Sequence, residues 1–343
     1  MKSIEEIPNE MNVLNLHGIG DLRFEKKETY KLIKDHVLVK IKYCGICSSD
    51  IERVFINGTY HFPTIPGHEM SGQIVAVNDE DEKLLGCKTA IFPLMPCFKC
   101  DACEREEYAQ CSDYNYFGSR CDGGYSEYLL VPKWNLVLFN DKLDYKIAAL
   151  CEPGAVAIHS VNIGDINKND NVAVSGTGTI GMMIALVAQG KGANVTVIGR
   201  SSNSLDFCKN LGLNTLLTSE LEDTVFNKVF EVVGNNESIN QSIGICDNFG
   251  TVILVGNPKE DVKLDKQIYW KILRKQLVLK GIWNSSYNTE VNDWKEILNL
   301  MNDGEIPFES LISKEYQMNE YNEAFDYLRD SKDKKLKGMF KNE

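Results

Sequence analysis

Four cysteines within fifteen positions, Cys97-x2-Cys100-x2-Cys103-x7-Cys111, carry the strongest chemical signal in this sequence. Four thiolates at such short spacings can wrap one tetrahedral Zn²⁺ inside a loop, which makes a closed structural site. Iron–sulfur runs share the Cys-x2-Cys-x2-Cys opening, but the bacterial pattern places its fourth cysteine sooner and follows it with proline. Here seven residues intervene and Ser112 follows. Four unligated core thiols would sit oddly among Lys99, Asp101, Glu104, Arg105, Glu106 and Glu107. Zinc is the expected occupant.

A second set is spread along the chain: Cys47 before Ser48-Ser49-Asp50, His68 and Glu69 after Pro66-Gly67, and Glu152 between Cys151 and Pro153. Each reads as lying beside a turn, where a side chain can point into a cleft. A thiolate, an imidazole and a carboxylate suit a catalytic zinc that keeps one position open. A lone histidine is more often a packing residue and a lone glutamate a solvated one, so spacing alone leaves both readings of this set open.

The third signal is a glycine turn, Gly176-Thr177-Gly178-Thr179-Ile180-Gly181, between an apolar strand pattern and an apolar helix pattern. In that context it reads as a dinucleotide turn, with the pyrophosphate at the helix N-terminus. The acid expected about 20 residues further on, to hold the ribose 2′-hydroxyl, is absent. The second strand ends instead in Ile198-Gly199-Arg200-Ser201-Ser202. Gly199 leaves room, and Arg200 with the serines can meet a 2′-phosphate, which points to NADP rather than NAD. The other reading has Arg200 stacking on adenine.

The elements that must position these residues fall into two textures. Residues 11–160 read mostly as short strands and Gly/Pro turns, with period-two alternation over His36–Tyr43 and a further strand over Gly72–Val77. From about residue 170 strands and helices alternate: strands Asn171–Ser175, Asn194–Ile198, Val229–Val233 and Gly250–Val255, and helices from the glycine turn to Gln189 and over Leu205–Leu211. That alternation predicts βαβ units and a parallel sheet. The last 55 residues read as polar helices and a basic tail.

The chain of 343 residues is 43% hydrophobic and 25% charged, which excludes a disordered or collagenous protein and suggests two domains. A net charge of −12 argues against nucleic acid and against an anionic membrane as partner. No apolar run approaches the ~20 residues that cross a bilayer. The start MKSIEEIPNE lacks the basic and apolar regions of a secretory signal, so a cytoplasmic protein is expected. Eleven cysteines, an odd number, fit a reducing compartment rather than a disulfide framework.

In this order, the zinc signals followed by the dinucleotide turn resemble the zinc-dependent medium-chain dehydrogenases, over nearly the whole chain from Met11. The resemblance rests on Gly45-Ile-Cys-Ser-Ser-Asp50, Gly67-His-Glu69, the four-cysteine loop, Glu152-Pro153 and Gly176-x-Gly-x-x-Gly181. Phe55-Ile-Asn-Gly58, Pro96-Cys-Phe-x-Cys100, Gly118-Ser-Arg-x-Asp-Gly-Gly124 and Lys271-Ile-Leu-Arg-Lys275 are similar to the galactitol-1-phosphate dehydrogenase branch, beside the sorbitol and polyol dehydrogenases.

The resemblance implies an α/β two-domain fold. A GroES-like β-barrel catalytic domain would span 1–153 and 289–343, and a Rossmann coenzyme domain with a doubly wound parallel sheet 154–288. It implies two zincs per chain, with Cys47, His68 and Glu152 holding the catalytic one and Glu69 a ligand or an exchanging one. Asp50 would orient His68, Ser49 would pass the substrate proton outward, and Cys44 would be packing. Glu52 stands where alcohol dehydrogenases can have a relay histidine. Val255 and Gly256 join the cofactor residues. Members are homodimers or homotetramers, and the galactitol-phosphate enzymes usually have an acid in place of Gly199 and use NAD.

The implied reaction interconverts a secondary alcohol of a polyol or polyol phosphate and its ketose, with galactitol 1-phosphate to tagatose 6-phosphate the leading case. For a phosphate, Arg120 beside Ser119 is the first anchor; its other reading is a surface arginine paired with Asp122. Tyr60, His61, Trp283 and Tyr287 can line a pocket or serve as core or interface. Lys271, Arg274 and Lys275 read as a solvated face rather than a phosphate clamp. The alternatives are a dehydrogenase of an unphosphorylated polyol such as sorbitol and, in another class, a zinc- or redox-sensing binding protein. The acid balance disfavours a zinc-ribbon nucleic-acid binder.

Overall fold

The computed structural model describes residues 1–221, 224–329 and 336–342. The chain divides into two compact units, Met1–Glu152 with Ser286–Glu343, and Pro153–Ser285.

The first unit is built round one long strand, His36–Ile46, whose Val37, Leu38, Val39, Ile41 and Cys44 are buried. Its neighbours extend the sheet in the order Leu136–Leu138, Lys88–Ile91, Glu69–Val77, His36–Ile46, Lys337–Lys341, Ile312–Gln317, with Tyr128–Pro132 also on the long strand. The hairpin Glu10–Gly18 with Asp21–Glu28 adds Met11, Val13, Leu14 and Leu16 to the core. Tyr125, Phe325 and Phe340 lie in the same core, Tyr125 edge-on to Phe340 at 4.9 Å.

The C-terminal stretch corrects the expectation of polar helices and a basic tail. Helices Asp293–Asp303 and Tyr321–Arg329 are present. Lys337–Lys341, however, is a strand of the barrel sheet, antiparallel to the long strand and parallel to Ile312–Gln317. Met339 and Phe340 are buried. Two apolar residues among lysines are too short a pattern to register as a strand; the pairing partner supplies what periodicity does not.

In the second unit six strands form one parallel sheet, ordered Asn214–Leu217, Asn194–Gly199, Asn171–Ser175, Phe226–Glu231, Cys246–Leu254, Val278–Gly281. This 3-2-1-4-5-6 order is the doubly wound dinucleotide arrangement. The helix Thr179–Gly190 buries Met182 to Ala188 in succession. Several boundaries differ from expectation, among them the strand read as Gly250–Val255, which runs over Cys246–Leu254. The fourth strand ends at Glu231 rather than Val233, because the Glu231 carboxylate folds back and accepts the N–H groups of Val233 and Gly234, each at 2.9 Å. The helix expected over Leu205–Leu211 starts at Ser202, where the Ser201 hydroxyl accepts the Ser204 N–H as a cap. Among the described residues no helix is long and apolar enough to cross a membrane.

Candidate active site and metal centres

Strand register brings distant residues together at one end of the barrel sheet. Gly45 faces Glu69 across one antiparallel pair, and Met339 faces Gly45 on the other side. Cys47 lies two residues past Gly45, His68 one residue before Glu69, and Lys337 two residues before Met339. The Cys47 sulfur and the ligand atoms of His68 and Glu69 lie within 4.8 Å of one another. Gly45 must be glycine here, since a Cβ would collide with the Glu69 carboxylate. His68 and Glu69 are buried and Cys47 is half-buried.

Cys47 caps the short helix Ser48–Glu52, which runs into the wider π turn Arg53–Asn57. The helix places Asp50, fully buried, beneath the cluster. Asp50 accepts the Cys47 N–H at 3.1 Å, the Tyr125 hydroxyl at 2.9 Å and Arg53 Nη1 at 2.9 Å, and lies 3.2 Å from His68 Nδ1. Burial alone would raise the Asp50 carboxyl, but His68, Arg53 and the Cys47 N–H outweigh it and hold the group below the usual carboxylate range. Conversely, burial would favour a neutral His68 imidazole, and Asp50 with Cys47 pushes it well toward the charged form. Nδ1 turned to Asp50 leaves Nε2 as the ring's free ligand atom.

Lys337 Nζ reaches both Glu69 oxygens, at 2.5 and 2.6 Å, with the lysine side chain 4% and the glutamate 1% exposed. Glu152, expected beside a turn, instead opens the helix Cys151–Ile163, where Pro153 suits the first turn. It is not one of the mutually close ligand atoms. It accepts the Tyr116 hydroxyl at 3.3 Å, and Tyr116 packs 5.9 Å from the His68 ring. Burial raises the Glu152 carboxyl, with Glu69 adding to the effect while His68 and Lys337 oppose it. Cys44 is buried packing beneath Gly67 and Gly124.

The four-cysteine loop fits a metal more closely. Its sulfurs lie 3.6 Å (Cys100 to Cys103), 3.8 Å (Cys100 to Cys111) and 4.0 Å (Cys97 to Cys103) apart. A tetrahedron with Zn–S bonds of 2.3 Å has edges of about 3.8 Å. Disulfide bonding would need about 2.05 Å. Backbone N–H groups of Ser112 and Cys103 pull the Cys100 thiol down to about 5, while burial and the neighbouring sulfurs push Cys103 up to about 12.

In the second unit Gly176 has φ +126°, a conformation that favours glycine, and the turn feeds the helix whose cap is Gly178. Thr179, Ile180 and Gly181 form the first helical turn. A cavity of 130 Å³ opens beside it, lined among others by Gly176, Thr177, Gly199, Arg200, Thr218 and Glu237. Arg200 is exposed at its rim, and a Cβ on Gly199 would press on Thr177 and Leu205 at 2.9 Å. Ser201 is engaged as a helix cap, and Val255 and Gly256 bond the Glu231 carbonyl; none of the three lines this cavity. Lys271 and Lys275 bond the carbonyls of Gly244 and Cys246.

Arg120 lies between two phenol rings, 4.2 Å from the Tyr60 centroid and 4.4 Å from that of Tyr114, and donates to the Tyr60 hydroxyl at 3.2 Å. His61 Nε2 faces the Arg120 carbonyl at 3.1 Å. Asp122 is not its partner: that carboxylate accepts from Lys27, Tyr30 and the Ile65 N–H at 2.6, 2.8 and 3.0 Å. Among the described residues Arg120 has no carboxylate partner. Ser119 beside it is buried. Tyr114 is 6.3 Å from Tyr116, so aromatic rings connect this arginine to His68. Tyr287 is packing, stacked on Phe92 at 4.4 Å, and Trp283 is exposed.

Sequence reasoning missed Arg53, Lys337, Tyr116 and Glu231. Arg53 alone had a signal, since it stands four and three residues after Ser49 and Asp50 on a helix.

Residues 33–141 match the alcohol dehydrogenase GroES-like domain and residues 179–303 the zinc-binding dehydrogenase domain. The chain is 34% identical to a galactitol 1-phosphate 5-dehydrogenase of Escherichia coli over 82% of its length and 85% of the relative's. It is 30% identical to an L-galactonate-5-dehydrogenase of the same organism, over 89% of this chain and 92% of that one. A crystal structure of galactitol-1-phosphate dehydrogenase from Escherichia coli superposes with a TM-score of 0.90 at 30% identity, covering 97% of this chain and 100% of that one.

Proposed function

Because this chain belongs to the zinc-dependent medium-chain dehydrogenases, oxidoreductases acting on CH–OH donors, we propose that it oxidises a polyol phosphate to a ketose phosphate, galactitol 1-phosphate to tagatose 6-phosphate, with NADP as acceptor. The observation that carries the phosphate is Arg120. Two aromatic faces flank its guanidinium, and among the described residues no carboxylate pairs with it. A phosphate is the planar fork's natural partner. Family membership sets aside the metal-sensing alternative.

The residues fit the groups this reaction needs. A zinc would be held by Cys47, His68 and Glu152, with Glu69 exchanging, and would supply Lewis acidity to a substrate hydroxyl, while the nicotinamide would supply the hydride acceptor. Asp50 fixes the His68 ring through Nδ1. Ser49 accepts the proton that leaves the alcohol. Cys97, Cys100, Cys103 and Cys111 would hold a second, structural zinc. The residues that would hold the cofactor are Gly176 to Gly181, with Gly199, Arg200 and Ser201 for the 2′-position, and Val255 and Gly256. We further assign the chain to a homodimer or homotetramer. The edge strand Val278–Gly281 presents Val278 and Leu279 to solvent, and Trp270 and Leu273 of the preceding helix are also exposed.

Two outcomes follow. Arg120→Ala raises KM for galactitol 1-phosphate roughly 10- to 100-fold, the loss of a charge-assisted pair, and leaves free galactitol nearly unchanged; an equal effect on both substrates would move the phosphate elsewhere. Arg200→Ala raises KM for NADP⁺ about tenfold, with NAD⁺ little affected. If both cofactors weaken alike, Arg200 stacks on adenine instead.

A further inference from the structure

We propose that Arg53 is the positioning residue for the Ser49 hydroxyl, aiming it at the reacting alcohol; this rests on the reading of Ser49 as the group that takes the substrate proton. Arg53 Nη1 lies 2.9 Å from Ser49 Oγ and 2.9 Å from Asp50 Oδ1, with its side chain 22% exposed. The π turn that begins at Arg53 places it three and four residues after its two partners, on the face they share. Such turns recur at functional sites.

A guanidinium only donates, so the bond must run from Arg53 to the serine oxygen. A hydroxyl has one proton and two acceptor positions. With one of these taken by Arg53, Ser49 keeps one acceptor position for the alcohol and one O–H to hand on. In the step, the alcohol O–H breaks and its proton joins Ser49 Oγ, while the Ser49 proton leaves to a water molecule. One proton reaches solvent, and the two electrons go with the carbon-bound hydrogen to the oxidised nicotinamide. Arginine keeps its proton throughout, so Arg53 cannot be the next carrier, as a histidine would be. Its part is to deny Ser49 Oγ the other rotamers. Asp50 holds the guanidinium in place, and the same Asp50 orients His68, so one carboxylate aligns both metal ligand and proton acceptor.

The test compares Arg53→Met, Arg53→Lys and Arg53→Ala with Ser49→Ala as reference, each with zinc content and fluorescence-detected cofactor binding measured beside the rates. Expected are a kcat about 100-fold lower for Arg53→Met, the size of a misplaced proton transfer, and KM values within about threefold. Zinc content and cofactor affinity stay at the wild-type level. Arg53→Lys recovers part of kcat, and free guanidinium ion raises kcat of Arg53→Ala while leaving Ser49→Ala unchanged. Wild-type kcat in Arg53→Met beside an inactive Ser49→Ala overturns the proposal. So does a loss that is carried in KM or that follows zinc content. If Arg53→Met does not fold, guanidinium rescue of Arg53→Ala and the kcat of Arg53→Lys decide. Full turnover in Ser49→Ala would instead sink the reading of Ser49 itself.

Discussion

Replacing Cys47 by serine or His68 by alanine is expected to lower turnover roughly 10³- to 10⁴-fold, the size of a lost Lewis acid, and to leave cofactor affinity within about twofold. The two side chains arrive from opposite strands and meet only because Gly45 faces Glu69. Both residues belong to the unit Met1–Glu152 with Ser286–Glu343, and the glycine turn belongs to the other, Pro153–Ser285, which has its own core. Serine in place of Cys47 offers a hydroxyl of high pKa where a thiolate is needed. Removing His68 also leaves Asp50 without its imidazole partner, although the Cys47 N–H, Tyr125 and Arg53 still bond it. Elemental analysis should fall from two zincs per chain to one in both variants, with the four-cysteine loop still loaded. Activity retained in both would remove zinc from the reaction.

The largest effect on stability is expected from Lys337→Met. It strands the Glu69 carboxylate, 1% exposed, without the cation that reaches both its oxygens. Breaking a buried pair from one side costs about 3–5 kcal/mol, which for a unit of this size lowers Tm by roughly 6–20 °C. Adding Glu69→Gln should restore most of the loss, because no charge is then left unpaired. Burial would lower the Lys337 pKa, but Glu69 and Cys47 outweigh it and hold it above the ordinary value. A raised folded-state pKa gives stability that is complete below the ordinary lysine value and fades only as pH climbs past the raised one. The gap between wild type and variant should therefore stay constant through neutral pH. Without Lys337 the cluster of Cys47, Asp50, Glu69 and Glu152 is more negative, so zinc should protect the variant more than the wild type against heating. Calorimetry with and without chelator reads both effects; an unchanged Tm would mean that Glu69 finds another partner.

Much of this was legible in the chain. Short-range patterns worked where a local spacing is itself the geometry: the Cys97–Cys111 loop closes on itself, and strand, glycine turn and helix follow one another at residues 171–190. The dispersed cluster was legible only by resemblance, since the meeting of residues 47 and 68 depends on strand register, which no single segment encodes. Lys337 was read as part of a basic tail because its burial comes from the pairing of Gly338 with Ile46, 292 residues earlier, which no local pattern encodes. The strand that ended early at Glu231 failed for a related reason. Alternation describes side-chain faces and is blind to a carboxylate that captures the backbone donors of Val233 and Gly234.

The polyol-phosphate assignment is decided by initial rates of NADP⁺ reduction with galactitol 1-phosphate and with free galactitol, on zinc-loaded protein. Turnover is expected with the ester, and a kcat/KM roughly 10- to 100-fold lower for the free polyol, the difference lying in KM. Equal efficiency for the two, or silence with the ester beside turnover of the free polyol, would contradict it.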